Sequence, residues 1–391
     1  MVNQLPQGWK EVPFNSIFDV CNSGKEKIKQ SEYLPKADGL LPVVDQGQNL
    51  VSGYSNQFQK VILAKDNPLI VFGDHTRCVK YIDFDFVVGA DGTQLIRTKE
   101  NTLVKLGYYQ LMSANIPNNG YSRHFKYVKE QAYKLIIDKD EQKYIVDTLD
   151  AVAEIIRLRK ENIQLTKELI PTIFQEMFGD PERKICLADV ATIKGGKRLP
   201  YGGQLQDETT VHPYIRVADM VNNTIKKDEL KYISDVIYNK IQNYTISSRD
   251  VYISIAGTIG RVGLVPDNLE GANLTENAAK IVLNENKINK VFLVYELLTD
   301  VLQSQIKSLT VQAGVPKLAI SRIESLKIYC PPLSEQEKFA DKVEQINKYI
   351  AAQQEELEQF ETLFQSLLQE AFTGILTWKY PRKECHDKKD K

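Results

Sequence analysis

Apolar residues recur with a seven-residue period over two stretches of the chain, and the two stretches match each other in register. The first runs from Glu141 to Phe178 and the second from Glu335 to Phe372, so both their ends lie 194 positions apart without a gap. Positions a and d of a heptad repeat are mostly apolar in both copies, which predicts two long helices packed along one seam. The predicted seam residues are Ile145, Leu149, Val152, Ile156, Ile163, Ile173, Phe339, Val343, Ile346, Ile350, Leu357 and Phe364.

A long polar residue interrupts each seam at the same point, Arg159 in the first copy and Gln353 in the second. Such a residue favours one register at some cost in stability. The alternative is that each stretch is an ordinary amphipathic helix on its own domain, although about 38 helical residues would span roughly 57 Å. Pro171 predicts a kink rather than a break, because the apolar pattern continues beyond it, and Gly179 predicts the helix end.

The segments outside these helices contain strand-like runs broken by glycine, aspartate and asparagine, which predicts two mixed α and β globular units. We therefore divide the chain into a unit at 1–140, a spacer helix at 141–179, a second unit at 180–333, a second helix at 334–375 and a charged tail at 376–391. The second helix must return antiparallel to pack on the first. The predicted fold class is α+β, with two mixed α/β domains separated by two long antiparallel coiled-coil helices in a pseudo-twofold repeat.

Eight runs predict strands and one predicts a helix within the two units. The strand-like runs are Val61–Ala64, Leu69–Phe72, Phe84–Val88, Gln94–Arg97, Tyr214–Val217, Val251–Ile255, Val262–Val265 and Ala279–Leu283, and the helical run is Val291–Leu309.

Composition narrows the class of protein. The 391 residues, 42% hydrophobic and 26% charged, suit two or three domains with sizeable cores. The sequence shows neither an apolar run of about twenty residues nor a signal peptide at its start, so we expect a cytoplasmic protein without a membrane span. Five cysteines and four histidines are scattered without metal-ligand spacing, so we expect neither disulfides nor a metal site.

Net charge argues mildly against non-specific binding of nucleic acid. The formal charge is −1 at pH 7, whereas proteins that bind phosphates without sequence preference are usually basic. Acidic residues are, however, concentrated on the two predicted helices, so basic residues can still cluster elsewhere.

Several motifs in both units resemble the target-recognition domains of specificity subunits from type I restriction-modification systems. The motifs are Val71–Arg77 and Val88–Gln94 in the first unit, Arg249–Gly260 and Gly271–Asn277 in the second, and the junction Pro331–Gln336 that enters the second helix. The first copy of the junction, Ile137–Gln142, lacks the prolines, which leaves the entry angle of the first helix open.

The resemblance implies that each unit reads one half of a bipartite, gapped site in double-stranded DNA, with the helices setting the gap. It also implies that the helices dock two modification subunits, which bind S-adenosylmethionine and methylate adenine. In a complete system, two restriction subunits would add an ATP- and Mg²⁺-dependent translocase and nuclease. The chain itself would bind no cofactor and catalyse nothing.

Other functions remain open on the sequence alone. A self-contained restriction and modification enzyme needs an Asn/Asp-Pro-Pro-Tyr motif, and here Pro331-Pro332 lies between Cys330 and Leu333. A non-enzymatic coiled-coil adaptor joining two protein-binding modules would suit the near-neutral charge equally well. A system with modification but no restriction subunit would use the same chain.

Polar and basic residues on predicted loops are the candidates for contact with DNA, since base edges and phosphates need donors and acceptors. We expect Gln46 and Gln48 to share one face of a strand, while a salt bridge from Arg77 to Asp74 is the structural alternative for that arginine. Solvated loops would explain the lysines equally well. The candidates are Lys25, Lys27, Lys29, Gln46, Gln48, His75, Arg77, Asn118, Asn119, Tyr121, Arg123, Lys194, Lys197, Arg198, Arg216, Thr258, Arg261 and Lys317.

Two glycine-containing segments of the second unit carry several of these residues. Lys194, Lys197 and Arg198 are predicted in a glycine-rich loop, while Thr258 lies within a Gly-Thr-Ile-Gly turn and Arg261 directly follows it. That turn lacks the Gly-Lys-Ser/Thr ending of a nucleotide-binding loop, so we favour structural or DNA-contact roles for it.

Four apolar residues near the helix ends lie outside the seam. We expect Phe174, Phe178, Leu368 and Phe372 to be exposed and to dock partner subunits. The alternative is that each is covered by the adjoining globular unit.

Overall fold

A computed structural model gives the fold of residues 5–21, 26–118, 120, 122–179, 181–310, 316–374 and 376. The chain divides into two compact units, which we call unit 1 (Met1–Lys160 with Glu355–Lys391) and unit 2 (Glu161–Gln354). Within these described ranges, every helix is too short or too polar to cross a bilayer.

Unit 1 consists of two four-stranded sheets, a two-stranded ribbon and short helices. Its sheets have the strand orders β2-β9-β6-β7 and β4-β3-β8-β5, and β1 pairs with β10. The elements are β1 (Trp9–Pro13), β2 (Phe18–Val20), β3 (Leu41–Val44), β4 (Gly53–Ser55), β5 (Val61–Ile62), β6 (Leu69–Gly73), β7 (Val79–Ile82), β8 (Phe86–Val88), β9 (Thr93–Thr98), α1 (Val104–Ser113), α2 (Phe125–Glu130), β10 (Ala132–Ile136) and the start of α3 (Lys139–Phe178).

Unit 2 repeats this arrangement. Its sheets have the strand orders β12-β21-β18-β19 and β16-β13-β20-β17, and β11 pairs with β22. The elements are β11 (Ile185–Cys186), β12 (Ala191–Gly195), β13 (Pro213–Ile215), β14 (Met220–Val221), β15 (Thr224–Ile225), β16 (Lys231–Tyr232), α4 (Asp235–Ile241), β17 (Thr245–Ile246), β18 (Val251–Ser254), β19 (Val262–Leu264), β20 (Ala272–Leu274), β21 (Ala278–Leu283), α5 (Lys290–Leu298), α6 (Asp300–Leu309), α7 (Ile320–Glu324), β22 (Lys327–Ile328) and the start of α8 (Leu333–Thr373).

The two units share a topology as well as an inventory of strands. In each, one sheet contains a parallel pair, β3 with β8 and β13 with β20, among otherwise antiparallel neighbours. Unit 2 adds a hairpin between β14 and β15, whose turn residues Asn222 and Asn223 have φ of 52° and 60°, as a type I′ turn requires. The internal repeat seen in the helices therefore extends through the globular domains.

The strands form where apolar residues can be covered on both faces. Strand β6 lies between β7 and β9, and all five of its residues (Leu-Ile-Val-Phe-Gly) are buried. Ile70 and Phe72 pack in one hydrophobic cluster and Leu69 and Val71 in another, so both faces are covered and polar residues do not alternate with apolar ones. β18 has the same place in unit 2, and its four residues are also buried. The predicted strands at these two positions are confirmed.

The long helices pack antiparallel within each unit. In unit 1, Ile145 and Leu149 near the start of α3 share a core with Phe364 and Leu368 near the end of α8. In unit 2, residues from the end of α3 pack against the start of α8, with the rings of Phe174 and Phe339 5.3 Å apart. The predicted pair of long antiparallel helices is confirmed.

Burial follows the heptad pattern along most of its length. Val152, Ile156, Ile173, Ile346 and Leu357 are half-buried. The other seam residues are at most 7% exposed, namely Ile145, Leu149, Ile163, Phe339, Val343, Ile350 and Phe364.

Pro171 lies inside α3, and the helix continues through it to Phe178. The predicted exit at Gly179 is present, with φ of 62° and a bond from its amide to the carbonyl of Gln175 at 2.8 Å. The prediction of one helix over Val291–Leu309 is wrong, because Thr299 has extended geometry and ends α5. Its side chain then caps α6 by accepting from the Leu302 amide at 3.4 Å.

Two buried glutamines attach the helices to their units. Gln142 Oε1 accepts from the Leu103 amide at 2.8 Å, and Nε2 donates to the carbonyls of Asn101 and Ile136 at 2.7 Å each. This side chain is fully buried, so it fixes the first turn of α3 against the start of α1.

Gln336 makes the equivalent set of contacts in unit 2. Its Oε1 accepts from the Asn289 amide at 2.8 Å, and its Nε2 donates to Pro331 O at 2.7 Å and Lys287 O at 3.2 Å. Both glutamines follow a glutamate at the helix start in the sequence repeat, which is the signal that could have identified them.

Candidate nucleic-acid interface

Three polar segments of unit 1 meet beyond the ends of β3, β6 and β8. Gln46, just after β3, accepts at Oε1 from the His75 amide at 3.2 Å and at its carbonyl from Thr76 Oγ1 at 2.5 Å. His75 Nδ1 lies 3.2 Å from Ser122 O. Gly92 approaches so closely, with φ of 88°, that a Cβ there would lie 2.7 Å from Gln46 Oε1. The structure therefore brings Gln46, His75 and the segment before Arg123 together.

A buried acid and lysine shape the loop that carries Gln46 and Gln48. Asp45 Oδ1 accepts from Ser52 Oγ at 2.5 Å and the Gly47 amide at 2.8 Å, and Oδ2 accepts from Tyr33 OH at 3.1 Å. Burial acts to raise the pKa of Asp45, but the three hydrogen bonds outweigh it and lower that pKa. The carboxylate therefore stays ionised and holds residues 45–52 as one compact loop.

Lys80 supports the same loop from β7. Its Nζ donates to Asp45 O at 2.8 Å and Asn49 O at 2.5 Å and lies 4.0 Å from the Asp45 carboxylate. Burial lowers the pKa of Lys80, opposed by the charge of Asp45. Neither residue was among the predicted contacts. In the sequence, the only sign of this role for Lys80 is that it interrupts the apolar run Val79–Ile82.

Gln46 and Gln48 do not share a strand face, so that expectation is wrong. β3 ends at Val44, and the bonds of Asp45 to Gly47 and Ser52 turn the chain into a loop instead. Gln46 is half-buried against His75, whereas Gln48 is exposed.

The other candidates in unit 1 form two groups, those that bond to the protein itself and those that are exposed to solvent. Lys27 is half-buried and donates to Thr93 O at 2.7 Å, and burial lowers its pKa. Arg77 is half-buried with φ of 62° and donates to Ile116 O at 3.3 Å. Asp74 instead accepts from the Phe125 amide at 2.8 Å, so the salt-bridge alternative for Arg77 is not what holds it. Exposed candidates are Lys29, Gln48, Asn118 and Arg123, while Lys25, Asn119 and Tyr121 lie outside the described residues.

The first candidate loop of unit 2 lies against the loop after β20. A Cβ on Gly196 would lie 2.1 Å from Thr275 O, so only glycine fits there. Lys197 donates its amide to Leu274 O at 2.8 Å and carries Nζ 5.3 Å from the centre of the Tyr244 ring. Arg198 Nε donates to Glu276 Oε1 at 2.7 Å, and this bond raises the pKa of Arg198. Lys194 is on strand β12 rather than in the loop, so its predicted placement is wrong.

Arg216 and Arg261 are committed to the framework of unit 2. Arg216 Nη2 donates to Asp219 Oδ1 at 2.6 Å and Glu229 O at 2.8 Å, and the bond to Asp219 raises its pKa. Arg261 Nη1 donates to Val217 O and Met220 O, both at 3.1 Å. These bonds use part of each guanidinium to support the framework of unit 2.

The remaining unit 2 candidates lie beside Arg261. Ser254 Oγ donates to Thr258 O at 2.5 Å and accepts from the Arg261 amide at 2.9 Å, which leaves the Thr258 side chain exposed. Lys317 is exposed and forms an isolated bridge with Ala256.

The loop after the parallel strand is held in the same way in both units. Lys80 binds two carbonyls of the loop after β3. Arg261 binds the carbonyl of Val217, in the loop after β13, and that of Met220, the first residue of β14. The two cations come from equivalent hairpins, β6 to β7 and β18 to β19. The structure therefore assigns a shared supporting contact to side chains that the sequence does not align.

The expectation that four off-seam apolar residues are exposed is wrong. Phe174 and Phe178 are 3% and 9% exposed and pack on Phe292 of α5, with ring centres 5.6 and 5.0 Å away. Leu368 and Phe372 are 3% and 9% exposed and join a core with α1. In each case a short helix of the adjoining globular unit packs its own apolar face on these residues and so covers them.

Titratable clusters of the metal-binding kind are not found among the residues that the structure describes. Within the same ranges, Cys21, Cys78, Cys186 and Cys330 are free thiols.

Comparison with solved structures relates the fold to known proteins. The type I restriction-modification S subunit of M. genitalium aligns with 94% of this chain and 98% of its own, at TM-score 0.53 and 17% identity. A chain from a structure titled "Structural basis underlying complex assembly and conformational transition of the type I R-M system" aligns over 95% of this chain and 100% of its own, at TM-score 0.55 and 17% identity. At these identities the likeness shows the fold alone.

Sequence comparison extends the relationship to whole proteins. The MjaVIII type I restriction enzyme specificity subunit of Methanocaldococcus jannaschii is 19% identical over 96% of this chain and 95% of its own length. The EcoR124I/EcoR124II specificity subunit of Escherichia coli is 22% identical over 80% of this chain and 81% of its own. The family model "Type I restriction modification DNA specificity domain" matches twice, at residues 6–167 and 182–362. The chain therefore belongs to the family of type I restriction-modification DNA specificity subunits.

Proposed function

We propose that this specificity subunit reads a bipartite, gapped DNA site, with one half-site bound by each unit. The observation that carries the proposal is the repeated topology, in which equivalent loops follow β3 and β13 but expose different side chains. A shared framework with different exposed groups suits two readers of the same kind of ligand with different sequences.

The long helices set the gap between the half-sites. α3 runs for 40 residues without interruption and α8 for 41, and Gln142 and Gln336 fix their first turns to the units. A helix attached rigidly to a reading domain transmits a fixed rise of about 1.5 Å per residue.

Modification subunits dock on apolar positions that the helices leave uncovered. Ile155 and Tyr349 are 37% and 56% exposed, and Leu169 and Leu363 are 50% and 44% exposed. The members of each pair are 194 positions apart, the period of the repeat. Equivalent exposed apolar positions in the two halves of the repeat suit two copies of one partner. They replace the four buried residues that the sequence suggested for this role.

Catalysis belongs to the partners in this proposal. Modification subunits would bind S-adenosylmethionine and methylate adenine, and restriction subunits, where a system has them, would use ATP and Mg²⁺. This chain would contribute recognition and assembly only.

The test is to co-express the chain with a modification subunit from the same source, in a host that lacks DNA methylation, and to map methyl-adenine across the genome. A split motif with a fixed gap is the expected result. A stable complex that leaves the DNA unmethylated would overturn the proposal and favour an adaptor that joins two protein-binding modules.

Lengthening both helices tests the role of the spacer separately. Inserting one heptad at the midpoint of α3 and one at that of α8 adds about 10 Å of helix while keeping the seam in phase. We expect the mapped gap to grow by about three base pairs, at roughly 3.4 Å each, with both half-sites unchanged. An unchanged gap in a methylating complex would refute the spacer role.

A further inference from the structure

The loop after β3 has an exposed tip that begins at Gln48. Among residues 45–50, Asp45 is buried and Gln46 and Gly47 are half-buried, while Gln48, Asn49 and Leu50 are exposed. Gln46 Oε1 accepts from the His75 amide, and the Gln46 backbone carbonyl accepts from Thr76 Oγ1. Gln48 is thus the first exposed side chain of the loop with both a donor and an acceptor.

The backbone on both sides of Gln48 is held. Lys80 Nζ donates to the carbonyls of Asp45 and Asn49, and the Gly47 amide donates to the Asp45 carboxylate. Asp45 and Lys80 are 7% and 6% exposed, so water competes little for these bonds. Gln48 therefore projects from a fixed frame, and its side chain loses little additional backbone freedom on binding.

Exposed groups beside this loop suit a nucleic-acid backbone. Arg123 is exposed and directly follows Ser122, whose carbonyl lies 3.2 Å from His75 Nδ1, while His75 binds Gln46. Gln48 is two residues from Gln46, a span of at most about 7 Å of chain. An arginine next to a rigidly held loop can bind a phosphate while a side chain of that loop reaches a base edge.

We propose that Gln48 determines specificity at one A·T pair of the half-site bound by unit 1. Its amide would donate to adenine N7 and accept from adenine N6, the pairing that glutamine makes in the major groove. This assignment rests on the proposed function and refines it. Gln46 and His75, by contrast, shape the loop.

Unit 2 provides an internal comparison. The equivalent loop after β13 is held through the carbonyls of Val217 and Met220 by Arg261, and its exposed residue between them is Ala218. Without an amide at this point, that loop reads DNA differently. Substitution of Gln48 should therefore leave the half-site of unit 2 unchanged.

The experiment maps methylation motifs for Q48A and Q48E in the co-expressed complex. The control is Q59A, which removes an equally exposed glutamine of unit 1 from the short 3₁₀ helix Phe58–Lys60. We expect Q48A to relax one position of one half-site, with discrimination falling on the order of 5- to 100-fold. Q48E should shift that position towards C·G, because a carboxylate accepts from cytosine N4. Q59A should retain the wild-type motif.

Each other outcome is decisive. If wild type and Q59A give a gapped motif and Q48A gives the same motif at the same rate, Gln48 is not a base reader, while the proposed function stands. If Q48A abolishes methylation in an intact complex, its binding is measured against duplexes that carry each base at each half-site position. Equal weakening on all of them assigns Gln48 to the backbone and overturns the proposal, whereas loss confined to one position supports it. Absence of a motif in wild type would instead count against the proposed function.

Discussion

Replacing the buried glutamine at the start of a long helix should loosen the attachment of that helix to its unit. The substitution Q142M keeps the length and helix propensity of the side chain but removes its amide. Gln142 is fully buried and makes three hydrogen bonds, to the Leu103 amide and to the carbonyls of Asn101 and Ile136.

The magnitude follows from the groups left without a partner. An unsatisfied buried donor or acceptor costs about 1–3 kcal/mol. Asn101 is exposed, so water can bind its carbonyl, whereas Ile136 is buried. Leu103 is also exposed, at 37%, so we count the Ile136 carbonyl as the main loss and expect unit 1 to be destabilised by about 1–3 kcal/mol.

Hydrogen exchange followed by mass spectrometry, with urea denaturation, measures this effect locally, because a chain of two units need not unfold in one step. We expect faster exchange at the start of α1 in Q142M, and at the start of α5 in the matching variant Q336M. Q369M, at an exposed glutamine of α8, is the control and should change stability by less than about 0.5 kcal/mol. If Q142M behaves like Q369M and the Leu103 amide stays protected, the attachment argument is wrong.

Two further predictions concern the loop frames. R261M removes two bonds, to the carbonyls of Val217 and Met220, and should lower the free energy of unfolding of unit 2 by about 2–3 kcal/mol in urea denaturation. Unchanged stability, together with weaker DNA binding that depends less steeply on salt concentration, would make Arg261 a phosphate contact instead. Because the pKa of Asp45 is lowered in the fold, its stabilising contribution is present above the unfolded value of about 3.9 and is lost as pH falls through the folded value. Wild type should therefore lose more stability than D45N in urea titrations between about pH 5 and pH 2, and equal losses would refute a role for the ionised carboxylate.

The helices could be predicted because their signal is local. A seven-residue period requires only the order of residues along the chain, and Gly179 marks an end by its own conformational freedom. Phe174 was misjudged because its burial depends on Phe292, more than a hundred positions later. An apolar residue that lies next to the seam and close to a globular unit indicates that a second side of the helix is covered.

The roles of the polar residues could not be read from residue type. Gln46 was expected on a strand because the preceding residues are apolar, but the chain turns at Asp45 through contacts with Tyr33 and Ser52. Arg216 and Arg261 are chemically suited to phosphate, and only the fold shows that backbone and carboxylate oxygens already accept from some of their donors. Whether an arginine is committed to the fold depends on tertiary contacts, which a single sequence does not contain.

Under the proposed function, the way the loops are held would let two domains with one framework bind different DNA sequences. Lys80 and Arg261 bind backbone carbonyls, a group that every residue possesses, so the frame places no requirement on the side chains between its anchor points. Gln48 in unit 1 and Ala218 in unit 2 occupy such intervening positions. Substitution there should change what is read while the loop keeps its shape, whereas substitution of the anchoring cation should disturb the loop whatever it reads. If each unit reads a half-site as proposed, a domain built in this way could change the sequence it reads without a change of fold.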